Sequence, residues 1–207
     1  MTDPETSGWW APRNASWWIA VLFIAGSVCF AVGPFPGFVQ LVGAAADAAV
    51  FFAGSLLFTA AAALQCVVTG FKPRRIDWWA AVVQLVGTLF FNVSTFEALQ
   101  DGLSTAQENR LIWAPDVFGC ICFLVASGLA WAAARSWIAW INLAGSAAFA
   151  IAGVASYFVP DTGDVLDLAA ANLTTVIGAL CFLAGAVGLL VEERRARIPA
   201  ARAPGRR

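Results

Sequence analysis

The sequence predicts an all-α integral membrane protein whose six transmembrane helices form three parallel two-helix hairpin repeats. Of its 207 residues, 60% are hydrophobic and only 12% are charged, and the mean hydropathy is +0.77. This composition is too apolar for an ordinary soluble domain. A second observation is that most charged residues lie between six long apolar runs, and a third is that one short motif recurs in every run.

The six apolar runs are predicted to be membrane-spanning helices. Each approaches or exceeds the roughly 18 residues needed to cross a hydrocarbon core about 30 Å thick. They lack the alternation of apolar and polar residues that is typical of barrel strands, whereas a helix satisfies its backbone hydrogen bonds within its own segment. The predicted helices cover residues 17–38, 44–68, 77–99, 115–134, 136–158 and 166–191.

Consecutive helices pair into three predicted repeats, residues 17–68, 77–134 and 136–191, and these are flanked by two polar ends. The N-terminal segment, residues 1–16, lacks the basic start of a signal peptide, so the first helix is expected to remain in the mature protein. The C-terminal tail, residues 192–207, is polar and contains proline, which predicts disorder. Its arginines could attract anionic lipid, or they could serve only to set the topology.

The distribution of positive charge predicts the orientation. Lys and Arg residues fall on one side of the predicted bundle, with the single exception of Arg110. Because positive charge marks the cytoplasmic side, both termini are predicted to be cytoplasmic. Trp17, Trp78 and Trp137 begin helices on that same side, at the level where indole rings prefer the headgroups. The opposite side carries mostly acidic residues.

Every predicted helix contains a glycine, a small residue directly after it, and a phenylalanine four residues after the glycine. The motif recurs about every sixty residues, so the repeating unit is a two-helix hairpin. Each hairpin crosses the membrane twice, and all three must therefore enter from the same side, around a pseudo-threefold axis along the membrane normal. The six pairs are Gly26 with Phe30, Gly54 with Phe58, Gly87 with Phe91, Gly119 with Phe123, Gly145 with Phe149 and Gly178 with Phe182.

The motif predicts a layer of aromatic rings near the middle of the membrane. With a helical rise of about 1.5 Å per residue, all six phenylalanines lie roughly 15–21 Å from the cytoplasmic interface. A glycine and a phenylalanine four residues later share one helix face. The glycine can therefore open a groove that a neighbouring ring fills. One interpretation is a packing module without chemistry, and the alternative is that the ring layer gates a central path.

Three segments carry a resemblance to a known family. The stretches "WWAAVVQLVGTLFFNVST", "IWAPDVFGCICFLVASGLA" and "WIAWINLAGSAAFAIAG" resemble the helices of YrhK-like proteins, small bacterial membrane proteins built around a paired-helix domain of unknown function. The resemblance covers residues 17–191 and rests on the ordered motifs together with Trp113-x-Pro115-Asp116. Cys120 and Ala179 stand where a serine is expected. The resemblance implies a bacterial plasma (inner) membrane location and no particular activity.

Polar residues within membrane spans are candidates for function. Gln84 and Asn142 each lie three residues before their glycine, and Gln65 is expected at a comparable depth. Together with Asn92, the deepest amide, they form a candidate polar pocket, although interhelical hydrogen bonding explains them equally well. Repeat one has Phe23 at the matching position, which breaks strict threefold symmetry.

A candidate acidic rim lies near the outer helix ends and comprises Asp47, Glu97 and Asp116. These carboxylates could attract cations. They could equally be solvated, and Asp116, which follows Pro115 at a predicted helix start, is well placed to complement a helix N-terminus.

No enzyme active site is predicted. The chain has no histidine, and its five cysteines are scattered through apolar helix without a C-x-x-C pair. Haem ligation by histidine and His-containing zinc sites are excluded. Neither a catalytic set of side chains nor a phosphate-binding loop can be assembled, so we expect no cofactor and no metal.

Two functional hypotheses follow from the sequence. The first is a structural, partner-binding or lipid-related role in the bilayer, with a membrane protein or a second copy of the chain as partner and no nucleic acid. The alternative is a small transporter or channel for an ion or solute. Flux measurements with reconstituted protein distinguish the two hypotheses.

Overall fold

The computed structural model describes residues 9–35 and 37–197. Within these ranges the chain forms eight α-helices and one π-helical segment. The α-helices are α1 (Ala15–Val32), α2 (Phe38–Val42), α3 (Ala44–Thr69), α4 (Ile76–Glu97), α5 (Thr105–Glu108), α6 (Ala114–Ala134), α7 (Trp137–Ala155) and α8 (Leu168–Arg197), and the π-helical segment (Asn109–Trp113) joins α5 to α6.

Six helical segments of the described chain are long and apolar enough to cross a membrane, which confirms the predicted number. Five of them are α1, α3, α4, α7 and α8. The remaining segment runs continuously over Thr105–Ala134 and contains α5, the π-helical segment and α6.

Local sequence explains where several helices begin and end. Asn14 caps α1, where its side chain accepts a hydrogen bond from the Ser16 amide at 2.9 Å. The first helix ends at Val32, six residues before its predicted end, because Pro34 cannot continue the hydrogen-bond ladder. Gly43, with φ of +86°, separates the short helix α2 from α3.

The predicted disordered tail needs a correction at its start, since residues 192–197 continue helix α8. This turn is held against the N-terminal segment. The Arg194 guanidinium lies 4.2 Å from the centroid of the Trp9 ring, and Asn14 Nδ2 donates to Glu193 Oε1. The rest of the predicted tail, residues 198–207, lies outside the described residues.

The six spanning segments form a closed ring around a central axis. Each packs against its neighbours in chain order, and α8 packs against α1. The contact of Arg194 with Trp9 places both described chain ends at one end of the bundle. We call this the basic end, because the loops that contain Arg75 and Arg135 also lie there. The opposite end, which carries Asp101 and Asp161, is the acidic end.

Candidate functional site: two cavities separated by phenylalanine rings

Six phenylalanine rings fill the middle of the bundle. Phe30, Phe91 and Phe149, from α1, α4 and α7, contact one another with ring centroids 6.1 to 6.4 Å apart. Each ring is less than a tenth exposed. We call this set the upper triangle, because it lies on the acidic side of the ring cluster.

Phe58, Phe123 and Phe182, from α3, α6 and α8, form a second set with centroid separations of 5.5 to 6.2 Å. We call it the lower triangle. Each of its rings also contacts one ring of the upper triangle at 5.0 to 5.7 Å. The void left among these rings measures only about 10 Å³, which is about the space of one water molecule. The two triangles therefore close the axis of the bundle.

The motif glycines make room for these rings. A methyl group added at Gly26 would lie 2.5 Å from the Phe58 ring, and one at Gly54 would lie 3.1 Å from the Phe30 ring. The two helices of the α1–α3 hairpin therefore pack reciprocally: the phenylalanine ring of each helix lies against the motif glycine of the other. The other two hairpins repeat the arrangement: Gly87 faces Phe123, Gly119 faces Phe91, Gly145 faces Phe182 and Gly178 faces Phe149.

A cavity of about 340 Å³ lies on the acidic side of the rings. The upper triangle forms its floor. Asp47 of α3 and Asp116 of α6 both line it, so the structure brings together two of the three residues of the predicted acidic rim. Glu97, at the end of α4, is not among its lining residues. We call this space the acidic-end cavity.

The structure corrects the expectation that Asp116 complements a helix N-terminus. The helical segment that contains Asp116 begins at Thr105, eleven residues earlier, and runs through Pro115 without a break. The π-helical segment Asn109–Trp113 ends two residues before this proline, whose ring and missing N–H an ordinary α-helix accommodates poorly. Sequence reasoning took Pro115 as a helix start, whereas the π-helical turn lets the helix continue. Asp116 therefore has no free helix end to cap.

The two carboxylates have few partners within the described residues. The thiol of Cys120 lies 4.0 Å from Asp116 Oδ2, and it has a nearer acceptor in the Phe149 carbonyl oxygen at 3.2 Å. Asp47 Oδ1 is buried and accepts no hydrogen bond from a described residue. Neither carboxylate forms a salt bridge with a described lysine or arginine. Neither carboxyl group is therefore paired with a cationic side chain among the described residues that line the cavity.

A loop over residues 156–167 covers part of the acidic-end cavity. Phe158 and Val165, which form an isolated antiparallel bridge, both line the cavity. The Asn109 side chain binds the loop twice, since Nδ2 donates to the Phe158 carbonyl at 2.7 Å and Oδ1 accepts from the Phe158 amide at 3.0 Å. Trp113 Nε1 donates to the Gly153 carbonyl at 2.8 Å. Sequence reasoning missed Asn109, because its partner is 49 residues away and no local pattern marks the pairing.

A second cavity, of about 230 Å³, lies on the basic side of the rings. Gln65, Gln84 and Asn142 line it, so three residues of the predicted polar pocket do meet. Phe23, the counterpart of Gln84 and Asn142 in the first repeat, lines it as well. Gln65 Oε1 and Asn142 Oδ1 are buried, and no described residue donates to them. We call this space the basic-end cavity.

Asn92 does not belong to this pocket, which corrects the prediction. It lies instead between α3 and α4, where the Thr59 hydroxyl donates to its side-chain oxygen at 2.9 Å. One atom of its amide lies 3.0 Å from the Ser55 carbonyl oxygen and must be the nitrogen, since two carbonyl oxygens would repel. Ser55 in turn lies 2.9 Å from the Thr95 hydroxyl. Asn92 therefore serves interhelical hydrogen bonding.

The polar groups in the two cavities can bind and orient a solute. Within the described ranges no three His, Cys, Asp or Glu side chains come close enough to hold a metal ion. The five cysteines are free thiols. Comparison of the chain with protein-family models, with curated proteins and with solved structures finds no match.

Proposed function

We propose that the protein is a small transporter whose two phenylalanine triangles close a central path between the acidic-end and basic-end cavities. The observation that carries this proposal is the arrangement of two polar-lined cavities on opposite sides of one ring cluster. A solute in either cavity would be in contact with the protein interior and separated from the other cavity by two layers of rings.

The cavities argue against a role in packing alone. Empty space in a well-packed interior lowers stability by about 24 cal/mol per Å³ in a soluble protein core, and ionisable groups inside a membrane span are costly unless they serve a function. A bundle with only a structural role has no need of Asp116 in the middle of a spanning segment. A partner-binding or lipid-related role does not account for it either.

The phenylalanine rings close the path between the two cavities in this structure. Passage requires the rings of both triangles to rotate or their helices to move apart, because the void among them admits no solute. Hydrophobic constrictions are a recognised way to gate a pore without charged groups. The reciprocal glycine contacts keep each ring with its hairpin, so movement between hairpins is the simplest route to opening.

The proposal includes the arrangement of the six helices as repeated hairpins and their orientation in the membrane. The glycine contacts repeat in all three hairpins, and Trp18 and Trp79 each donate to the carbonyl of a proline six residues earlier, at 2.9 and 3.0 Å. Such equivalent contacts support three parallel hairpin repeats. We further propose a bacterial plasma membrane location with cytoplasmic termini, which puts the acidic-end cavity outside. Membership of the YrhK-like family stays a prediction.

Reconstituted protein tests the proposal. Purified protein in liposomes should move at least one solute from a panel of radiolabelled monovalent ions, amines and small neutral compounds, with saturation at high solute concentration. Phe91→Ala and Phe149→Ala remove rings from the upper triangle and should increase that flux several-fold. Phe118→Ala is the matched control, because this ring lies on the outside of the bundle and is 55% exposed. If neither ring variant differs from Phe118→Ala for any solute, the protein is not a transporter gated by these rings.

A further inference from the structure

We propose that the acidic-end cavity binds an organic cation, such as a quaternary or protonated amine, between Asp47 and Asp116. This inference rests on the proposed function, in that it names the class of solute that enters from the acidic end. It concerns binding, however, and can be tested without any measurement of transport.

The acidic-end cavity holds two carboxyl groups and no cationic side chain among its described lining residues. The two groups belong to Asp47 and Asp116, and they share a volume of about 340 Å³. A carboxyl group taken out of water is ionised only at a high cost in free energy unless an opposite charge accompanies it, and otherwise it takes up a proton. A cation in the cavity would stabilise the ionised form of both groups.

The position of Asp116 argues against the ordinary structural role of an acidic residue near a helix start, which is to complement the helix N-terminus. It lies within a continuous helix and is enclosed by protein, while it retains surface that is accessible from the cavity. No described backbone N–H and no cationic side chain donates to it, and its nearest donor is a thiol at 4.0 Å that already bonds elsewhere. A carboxylate in this setting is free to bind a ligand.

The rest of the cavity wall determines what kind of cation fits. Aromatic rings line the same cavity as the two carboxylates. The upper triangle forms the floor, and Phe51, Trp113 and Phe158 also line the cavity. Aromatic faces attract cations that are weakly hydrated, and cages of aromatic rings are the usual recognition element for quaternary ammonium groups. A cavity of this size matches the lower range of small-molecule sites.

The same wall disfavours a divalent metal ion. Calcium requires six to eight oxygen ligands, and magnesium retains most of its water. The described residues offer no cluster of three ligating side chains. An organic cation needs no such ligand set, because its apolar substituents can lie against the rings while its charge faces the carboxylates.

Calorimetric titration of the purified full-length protein in nanodiscs tests the proposal. The probe is benzyltrimethylammonium, compared with neopentylbenzene, a neutral compound of the same shape. We expect one saturable site for the cation and at least tenfold weaker binding of the neutral compound. Asp116→Asn and Asp47→Asn should each weaken cation binding at least tenfold. Glu97→Gln, which changes a carboxylate at the same end but outside the cavity, should leave it unchanged.

Thermal stability of each variant, measured in parallel, shows whether it is folded. Two independent Asp variants keep the test decisive if one of them does not fold. Equal binding of the neutral compound, or equal affinity in wild type and in both folded Asp variants, would overturn the inference, as would no binding at millimolar concentration. Cation binding without flux in liposomes upholds this inference and rejects transport. Ring-dependent flux of a neutral or anionic solute, with no cation binding, upholds transport and rejects this inference.

Discussion

Small residues at the helix contacts set how closely the helices approach. Gly87 of α4 is fully enclosed, and a methyl group there would lie 2.8 Å from both the Cys122 Cβ and the Phe123 ring. A methyl group added at Gly128 of α6 would meet no heavy atom of a neighbouring segment within 4 Å. Both glycines are helical, so helix propensity is the same for both and only the neighbours differ.

We expect Gly87→Leu to lower the free energy of unfolding by about 3 kcal/mol or more, because overpacking a tight contact forces backbone shifts. Gly128→Leu should be neutral or slightly stabilising, since leucine is the better helix former. Thermal unfolding of both variants in the same detergent measures the difference. Equal melting temperatures for the two variants would show that the close approach at Gly87 is not needed for folding.

The residue after each motif glycine is fully buried, and its hydrogen bonding differs between repeats. Ser146 lies 2.7 Å from the Ser127 hydroxyl across the α6–α7 contact. Ser27, at the position equivalent to Ser146, is also buried but has no described partner for its Oγ. The position equivalent to Ser127 in α8 is Ala186, which carries no hydroxyl.

Ala186→Ser is therefore expected to stabilise the protein by about 0.6 kcal/mol, the typical gain of an interhelical hydrogen bond within a membrane. The measurement is a double-mutant cycle of unfolding free energies with Ser27→Ala. The gain should vanish in the Ser27→Ala background. Persistence of the gain there would mean that Ser27 is not the partner and that the repeats differ in geometry at this contact.

At the scale of elements, the π-helical segment has two consequences. It lets the helix continue through Pro115, which places Asp116 in the cavity wall. It also presents Asn109 to the loop over residues 156–167, which Asn109 holds by two hydrogen bonds. The conformation of this one segment therefore shapes both the wall and the cover of the acidic-end cavity.

Asn109→Ala should loosen the loop without unfolding the bundle, because it leaves two backbone groups of Phe158 without their partners, at a cost of about 1–3 kcal/mol each where they are buried. Hydrogen exchange of the peptide over residues 156–167 should become at least tenfold faster, while exchange within α4 stays the same. Gln100→Ala, an exposed amide on a different loop, serves as the control. Unchanged loop exchange in Asn109→Ala would show that other contacts hold the loop.

At the scale of the whole molecule, the closed ring of helices determines where each cavity opens. The chain ends meet at the basic end through Trp9 and Arg194. In the orientation that we propose from the positive-inside rule, this end faces the cytoplasm. The acidic-end cavity would then open to the outside, where an external cation would first meet the protein.

Reporter fusions test that orientation. A fluorescent protein that matures only in the cytoplasm should be bright when fused after residue 207. A phosphatase that is active only outside should be active when fused after residue 103 or residue 162 and inactive after residue 135. The reverse pattern, with an active phosphatase after residue 135, would place the acidic-end cavity in the cytoplasm and the chain ends outside.

Much of the fold could be predicted from the sequence because the bilayer imposes a simple rule. A segment in lipid must satisfy its own backbone, so long apolar runs are helices, and their number follows from length and hydropathy. The motif spacing also predicted that six phenylalanines meet near the middle of the bundle, since helical rise is constant along the chain, but the structure stacks them in two triangles and not in one layer. Small boundary errors arose after Val32, where Pro34 ends α1, and at residues 192–197, which continue α8.

The candidate site could be predicted only in part, because each of its properties depends on contacts between distant segments. Depth alone grouped Gln65, Gln84 and Asn142 correctly, but it could not show that Asn92 faces α3.

By itself the sequence determined the helices, their order and the level of the rings, because these depend on local hydropathy and periodicity. Only the tertiary structure decided that two of three rim carboxylates share a cavity, and that Asp116 lies inside a helix. The physical reason is that the direction of a side chain depends on helix rotation and on backbone irregularities such as the π-helical turn, and packing between helices sets both.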